Sequence, residues 1–351
     1  MNLSNDNNGS SFKNNVIFYS TVDDKDLFRV TGFYATDINI LKDLGYNVIL
    51  SNSIFDFLRF WQYDLTFIYF WTKGLIPALI SKFFGKKVIF TGGIDRLDKI
   101  YNKSSLDYFV KKILFKICTT ISDANIIVSK GDLINIEKTG YSIHKKHYLP
   151  HVIEFEKYEY DGRPKKDVIT TIVWMGQSDA NVIRKGVDRL LFVYKEFLKL
   201  NNDLTVQIIG SIGKGTNYLE KIIKELGIEN KITFTGRINE HAKIQYLKES
   251  KYYFQLSLYE GFGISALEAL AAGNIVIHSG RGGLADTIAS HGILIENIDD
   301  YLSIAMKTVE IQMKYDEYKQ FILDGVQYVN KHYSYGVRKN GISQILKGLK
   351  S

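Results

Sequence analysis

The chain holds 351 residues, enough for two domains at roughly 150 residues each. Its 45% hydrophobic and 24% charged content is that of a globular protein and excludes a disordered one, while a single cysteine, Cys118, excludes a disulfide framework and a four-cysteine metal site. The net charge of +7 is concentrated in residues 82–116, where nine Lys and Arg meet three Asp, and no nucleic-acid-binding motif accompanies it.

The polar, Asn-rich segment 1–11 lacks the apolar stretch of a signal peptide, and no run approaches the length of a membrane span. A cytoplasmic protein is expected. Short apolar runs at 16–19, 48–50, 65–69, 88–90 and 125–128 read as buried strands, and Phe33 to Leu44 has helical apolar spacing closed by Gly45. This alternation predicts βαβ units and a doubly wound parallel sheet over 12–155. Residues 156–168 are charged, turn-rich and poor in aliphatics, and read as a linker. Alternation then restarts, with strands expected at 169–175, 204–209, 231–234, 252–258 and 274–278. Helices are expected near 186–200, 216–227, 239–249, 264–272 and 282–290, giving a second α/β domain over 169–330. A ligand then belongs between the domains, where the carboxyl ends of both sheets face each other.

The most informative segment is Tyr259-Glu-Gly-Phe-Gly-Ile-Ser-Ala-Leu-Glu-Ala-Leu-Ala-Ala-Gly273. A strand, a glycine-rich turn and a new helix follow one another, so Gly261 and Gly263 let backbone approach a ligand and the helix start offers free N–H groups to a diphosphate. Glu260 in the turn and Glu268 one turn into the helix flank that anion site and can accept sugar hydroxyls.

The Glu260-x7-Glu268 pattern, set in Glu-Gly-Phe-Gly-x4-Glu-Ala-x3-Gly, resembles the signature of retaining glycosyltransferases of family 4, which adopt the GT-B fold of two facing Rossmann-like domains. Leu204–Gly210, Ile232–Gly236 and Arg281–Ile288 resemble further segments of that family, and Tyr328–Leu349 its closing helix, which implies that 331–351 crosses back onto the first domain. The resemblance implies that Glu268 binds ribose hydroxyls and Glu260 the transferred sugar. Gly261, Phe262, Gly263 and Ile264 would hold the distal phosphate, with Gly236, Arg237 and Gly32 also on the donor. Arg184 and Lys185 would neutralise the diphosphate in place of a metal, so no metal and no cofactor beyond the nucleotide-sugar donor is expected. The family's Arg after the glycine at Gly176 is replaced by Gln177, and Arg184 is the candidate substitute. Its His after the fourth strand is replaced by Thr91-Gly-Gly-Ile-Asp95, where Gly92 and Gly93 could line a sugar pocket and Asp95 take an acceptor hydroxyl.

The resulting expectation is transfer of a sugar to a glycan or lipid-linked acceptor of the kind used in surface polysaccharide synthesis. A noncatalytic GT-B subunit, or another GT-B enzyme such as a nucleotide-sugar epimerase, is the alternative. An anionic membrane surface is a further expected partner, at the inner face of the plasma membrane. Phe83 and Phe84 lie between Lys82 and Lys86-Lys87, and a helix over 105–118 would align Phe109, Ile113, Leu114 and Ile117 beside Lys111, Lys112 and Lys116. Weaker candidates are Asp24 and Asp26 as a metal pair, and Gly210-Ser-Ile-Gly213 as a dinucleotide loop with no helix starting at once. His144, His147 and His151 read as surface or hinge residues, and Cys118 as core.

Overall fold

A computed structural model describes residues 14–94, 97, 104–176, 178–202 and 204–350. In chain order the first part contains β1 (Asn15–Tyr19), α1 (Leu27–Val30), α2 (Gly32–Asp43), β2 (Asn47–Ser51), β3 (Leu65–Tyr69), α3 (Leu75–Phe83) and β4 (Lys87–Thr91). It continues through α4 (Ser105–Ile121), β5 (Ala124–Ile127), α5 (Lys130–Lys138), β6 (Lys146–Tyr148) and α6 (Phe155–Tyr158). The second part opens with β7 (Lys166–Ile172), α7 (Ala180–Lys185), α8 (Val187–Lys199), β8 (Thr205–Ile209), α9 (Lys214–Leu226), β9 (Ile232–Gly236), α10 (Glu240–Glu249) and β10 (Ser250–Gln255). It closes with α11 (Ile264–Ala271), β11 (Ile275–His278), α12 (Leu284–Thr287), β12 (Ile293–Leu294), α13 (Tyr301–Met313), α14 (Lys319–Tyr333) and α15 (Tyr335–Lys350).

All strand pairs are parallel, and each part forms a six-stranded sheet, β2-β1-β3-β4-β5-β6 and β12-β11-β10-β7-β8-β9. The strands are apolar runs because both faces are covered: all five residues of β3 and all four of β5 are buried. Strand order reverses between β1 and β3 in one sheet and between β7 and β10 in the other, and ligands collect in the crevices such reversals leave.

The strand expected at 169–175 runs instead over Lys166–Ile172, so the last three linker residues belong to the second sheet. The rest of the linker is anchored by its aromatic residues. Tyr158, with Phe155 just before it, is buried in the second domain's core and the Tyr160 ring lies against Gly273, while Glu156, Lys157, Glu159 and Asp161 stay exposed. A helix does start at once after Gly213, because the Thr216 hydroxyl accepts the Gly213 N–H at 3.1 Å and caps α9. The helix expected at 282–290 is a four-residue α12 followed by a 3₁₀ turn at Ala289–His291.

The chain crosses between domains twice. After α14, Ser334 is extended and α15 runs onto the first domain, where Ile342, Ile345 and Leu346 join a core with Val16, Phe18 and Phe67. Arg338 is buried there, its guanidinium donating to Asp37 at 2.5 and 2.7 Å and to the Leu149 and Pro150 carbonyls at 2.9 and 2.7 Å. No helix among the described residues is long and apolar enough to cross a membrane.

Candidate active site

β10 ends at Gln255, an irregular turn carries Glu260, and α11 begins at Ile264, so the glycine-rich turn stands at the β7–β10 reversal. Two glycines permit its packing. Gly186 sits at φ 72 where a Cβ would meet the Leu256 carbonyl oxygen at 2.1 Å, which brings the end of α7 against β10. Gly282, at φ 65, lies where a Cβ would meet the Glu260 carbonyl oxygen at 2.2 Å, and that oxygen accepts the Gly283 N–H at 2.6 Å.

The first closure carries Arg184 and Lys185 to the carboxylate. Glu260 Oε2 accepts from Lys185 Nζ at 2.7 Å and from Gln255 Nε2 at 2.8 Å, with the Arg184 guanidinium at 3.5 Å. Burial alone would raise the Glu260 carboxyl, but Lys185 and Arg184 overcome it and hold the group below the usual carboxylate range. Glu268 is 8% exposed rather than a surface acid. Its Oε1 accepts from Lys243 Nζ at 2.9 Å and from the Tyr158 hydroxyl at 3.0 Å. Here burial prevails over Lys243 and the carboxyl is raised. Glu240 shares both partners, pairing with Lys243 at 3.1 Å and accepting from Tyr158.

Gly261, Phe262 and Gly263 are buried at the start of α11, and the Phe262 ring meets His151 edge-on at 5.4 Å. His151 is buried rather than on the surface, and burial, with Arg338 adding to it, holds it well below its ordinary pKa. It also packs on Phe33 at 5.4 Å, linking the α2 turn that begins at Gly32 to the second domain. Gly236 and Arg237 lie at the end of β9, the edge strand two places from β7, and Arg237 is exposed. Gln177 and Asp95 fall outside the described residues.

On the facing domain, a cavity of about 280 Å³ opens at the ends of β1, β3 and β4, lined by Tyr34, Phe70, Trp71, Lys73, Gly93 and Phe115 among others. Phe70 is held at φ 71 with its ring against Gly92, a strained conformation of the kind that gathers at ligand sites. Cys118 behind it is core; its thiol donates to the Trp71 carbonyl at 2.9 Å, and burial pushes it up to about 12. Asp24 accepts the Asp26 N–H in an exposed turn, and the described residues hold no cluster of three His, Cys, Asp or Glu suited to a metal ion.

Several residues of the cleft were not singled out by sequence. Asn135 donates to the Tyr259 hydroxyl at 2.7 Å across the domains, and Asp286 accepts the Lys130 N–H at 2.9 Å and the Tyr148 hydroxyl at 3.1 Å. Gln255 carried a signal, as an amide in the otherwise apolar run Tyr252–Leu256. Lys243 and Tyr158 carried none toward Glu268, which lies 25 and 110 residues from them in the chain.

Two facing parallel sheets with a cleft at both reversals define a GT-B architecture, and solved structures agree. Sucrose-phosphate synthase from Thermosynechococcus elongatus superposes with a TM-score of 0.76 at 14% identity, over 96% of this chain and 99% of that one. HepE from Anabaena, in complex with UDP and glucose, gives 0.75 at 13% identity, over 95% and 99%. Residues 176–318 match the family described as glycosyl transferases group 1. An uncharacterized glycosyltransferase of Methanocaldococcus jannaschii is 37% identical over 105 residues, 30% of this chain and 26% of that protein, so the chain spans about a quarter of that relative's length.

Proposed function

We propose that the chain is a retaining glycosyltransferase that takes a sugar from a nucleoside-diphosphate donor without a metal ion. The observation that carries this reading is the pairing of Glu260 with Lys185 and Arg184 beside the glycine-rich start of α11. Two cations at a helix N-terminus can receive a diphosphate, and an ionised carboxylate next to them can accept a sugar hydroxyl. Glu268, a turn deeper, offers its second oxygen to a ribose diol. In the transfer step the bond from anomeric carbon to distal phosphate oxygen breaks as the acceptor oxygen bonds to the same face. The acceptor's proton passes to the departing diphosphate, whose charge Lys185 and Arg184 stabilise.

The acceptor would enter the cavity of the first domain, and the reading extends to a lipid-linked acceptor met at an anionic membrane. Support comes from α3 and α4, which expose Ile76, Leu79, Phe83, Leu106, Phe109 and Ile113, with Phe83 at 84% and Phe109 at 56%. The lysines expected to assist are largely engaged within the domain. Lys82 pairs with Asp123 at 2.9 Å, Lys111 with Asp107 at 2.5 Å, and Lys112 and Lys116 each lie 4.9 Å from the Tyr141 ring. Leu114 is half-buried and Phe84 stacks on Phe60, so neither adds to the exposed face.

The test is acceptor-dependent release of nucleoside diphosphate. Lys185→Ala should lower the rate by roughly tenfold to a thousandfold, and EDTA should leave the wild-type rate intact. A chelator-sensitive rate restored by magnesium or manganese overturns the metal-free mechanism.

A further inference from the structure

We infer that Gln255 is a positioning residue for the donor sugar: its buried amide holds Oε2 of Glu260 so that Oε1 faces the ligand. The inference rests on the donor-binding reading above and names a residue that reading does not use.

Gln255 is the last residue of β10, 2% exposed and set between the buried apolar residues Phe254 and Leu256. Burying an amide in such surroundings is unfavourable unless it is hydrogen-bonded. Both ends of this one are: Nε2 donates to Glu260 Oε2 at 2.8 Å, and Oε1 accepts from the Tyr253 hydroxyl at 3.3 Å. The side chain is thereby fixed in one orientation, with its donor aimed at the carboxylate.

Three donors converge on that single oxygen, and they differ in kind. Lys185 and Arg184 are cations on a helix end at the cleft, at 2.7 and 3.5 Å, and each is partly exposed. A diphosphate carries more charge than a carboxylate, so its arrival draws both cations toward phosphate. Gln255 is neutral and locked in the strand, so the diphosphate exerts no comparable pull on it. It is the partner that stays. While it stays, Glu260 keeps the orientation that presents Oε1 to a sugar hydroxyl, at the moment when the cations loosen and a second anion has moved alongside. Because it is uncharged, Gln255 does this without neutralising the acceptor.

The separation between nucleotide and sugar supplies the test. Calorimetry on the full chain would compare UDP with UDP-glucose, GDP with GDP-mannose and ADP with ADP-glucose, for wild type and Gln255→Met, alongside the melting temperature of each protein. For the pair that wild type binds, the variant should keep its nucleoside-diphosphate affinity within about twofold and lose roughly tenfold or more for the nucleotide sugar. Gln255→Asn, which keeps the amide but shortens its reach, is expected to show the same split and serves if the methionine variant does not fold. An unchanged ratio of the two affinities overturns the inference, as does an equal loss for both ligands. Wild type binding none of the six compounds overturns instead the donor-binding reading on which it rests.

Discussion

Glu260 and Glu268 belong to one turn-helix segment yet live under opposite electrostatic conditions. Glu260 gains more from Lys185 and Arg184 than burial costs it, so its folded pKa is depressed and its contribution to stability is lost as pH falls through that value. Glu268 loses more to burial than Lys243 returns, so its folded pKa is raised and its ionised form costs the fold stability at neutral pH. A ribose diol needs acceptors, so nucleotide affinity should fall on acidification through the raised Glu268 value, above the ordinary glutamate range. Lys243→Met should move that acid limb to higher pH, and Glu268→Ala should weaken binding by about 1–3 kcal/mol. Nucleotide titrations across pH would show both, and a limb that ignores Lys243 would remove Glu268 from the site. Glu260 and Glu268 could be singled out in the chain because both lie in one turn-helix segment, whereas Arg184 and Lys185 were marked only by the family resemblance. Lys243 and Tyr158 were not, because only packing brings them to Glu268, and Gln255 stood out only as an amide in an apolar run, its contact with Glu260 depending on the course of the turn between them.

At the scale of elements, the strand–helix alternation was readable wherever both faces of a strand are buried, as in β3 and β5. Short edge strands escaped: β6 is Lys146-His147-Tyr148 with no apolar run to mark it, and β12 is only two residues long. The helix α4 teaches a different lesson. Its apolar stripe was predictable from spacing and is exposed, but counting lysines overstated the available charge, since Asp107, Asp123 and Tyr141 engage several of them. Flotation with liposomes containing anionic lipid should therefore depend on Phe83 and Phe109 more than on Lys82 or Lys111. Phe83→Ser with Phe109→Ser should abolish co-flotation, and Lys82→Gln with Lys111→Gln should weaken it modestly and only at low salt, where charge is unscreened. Binding that survives the serine pair, or wild type that stays soluble at low salt, counts against a membrane face.

At the scale of the molecule, the two domains are joined by more than a linker. Asn135 reaches Tyr259, α5 presents the Lys130 N–H to Asp286, and α15 returns to the first domain through Arg338. Arg338→Met removes one member of a buried ion pair and strands Asp37, a loss of about 3–5 kcal/mol. A urea midpoint that does not shift would show that α15 is held by its apolar residues alone. Asp37→Asn in the same chain should recover part of the loss by relieving the stranded charge.

Arg338 and Asp37 stand 301 residues apart in sequence, and this has a consequence for how the protein is made. On the ribosome the first domain emerges early, before the residues that supply one wall of its core. Ile342, Ile345 and Leu346 supply that wall only after the whole second domain has been synthesised. The domain begun first is thus completed last, and a fragment cut at the apparent boundary would expose the surface that α15 covers.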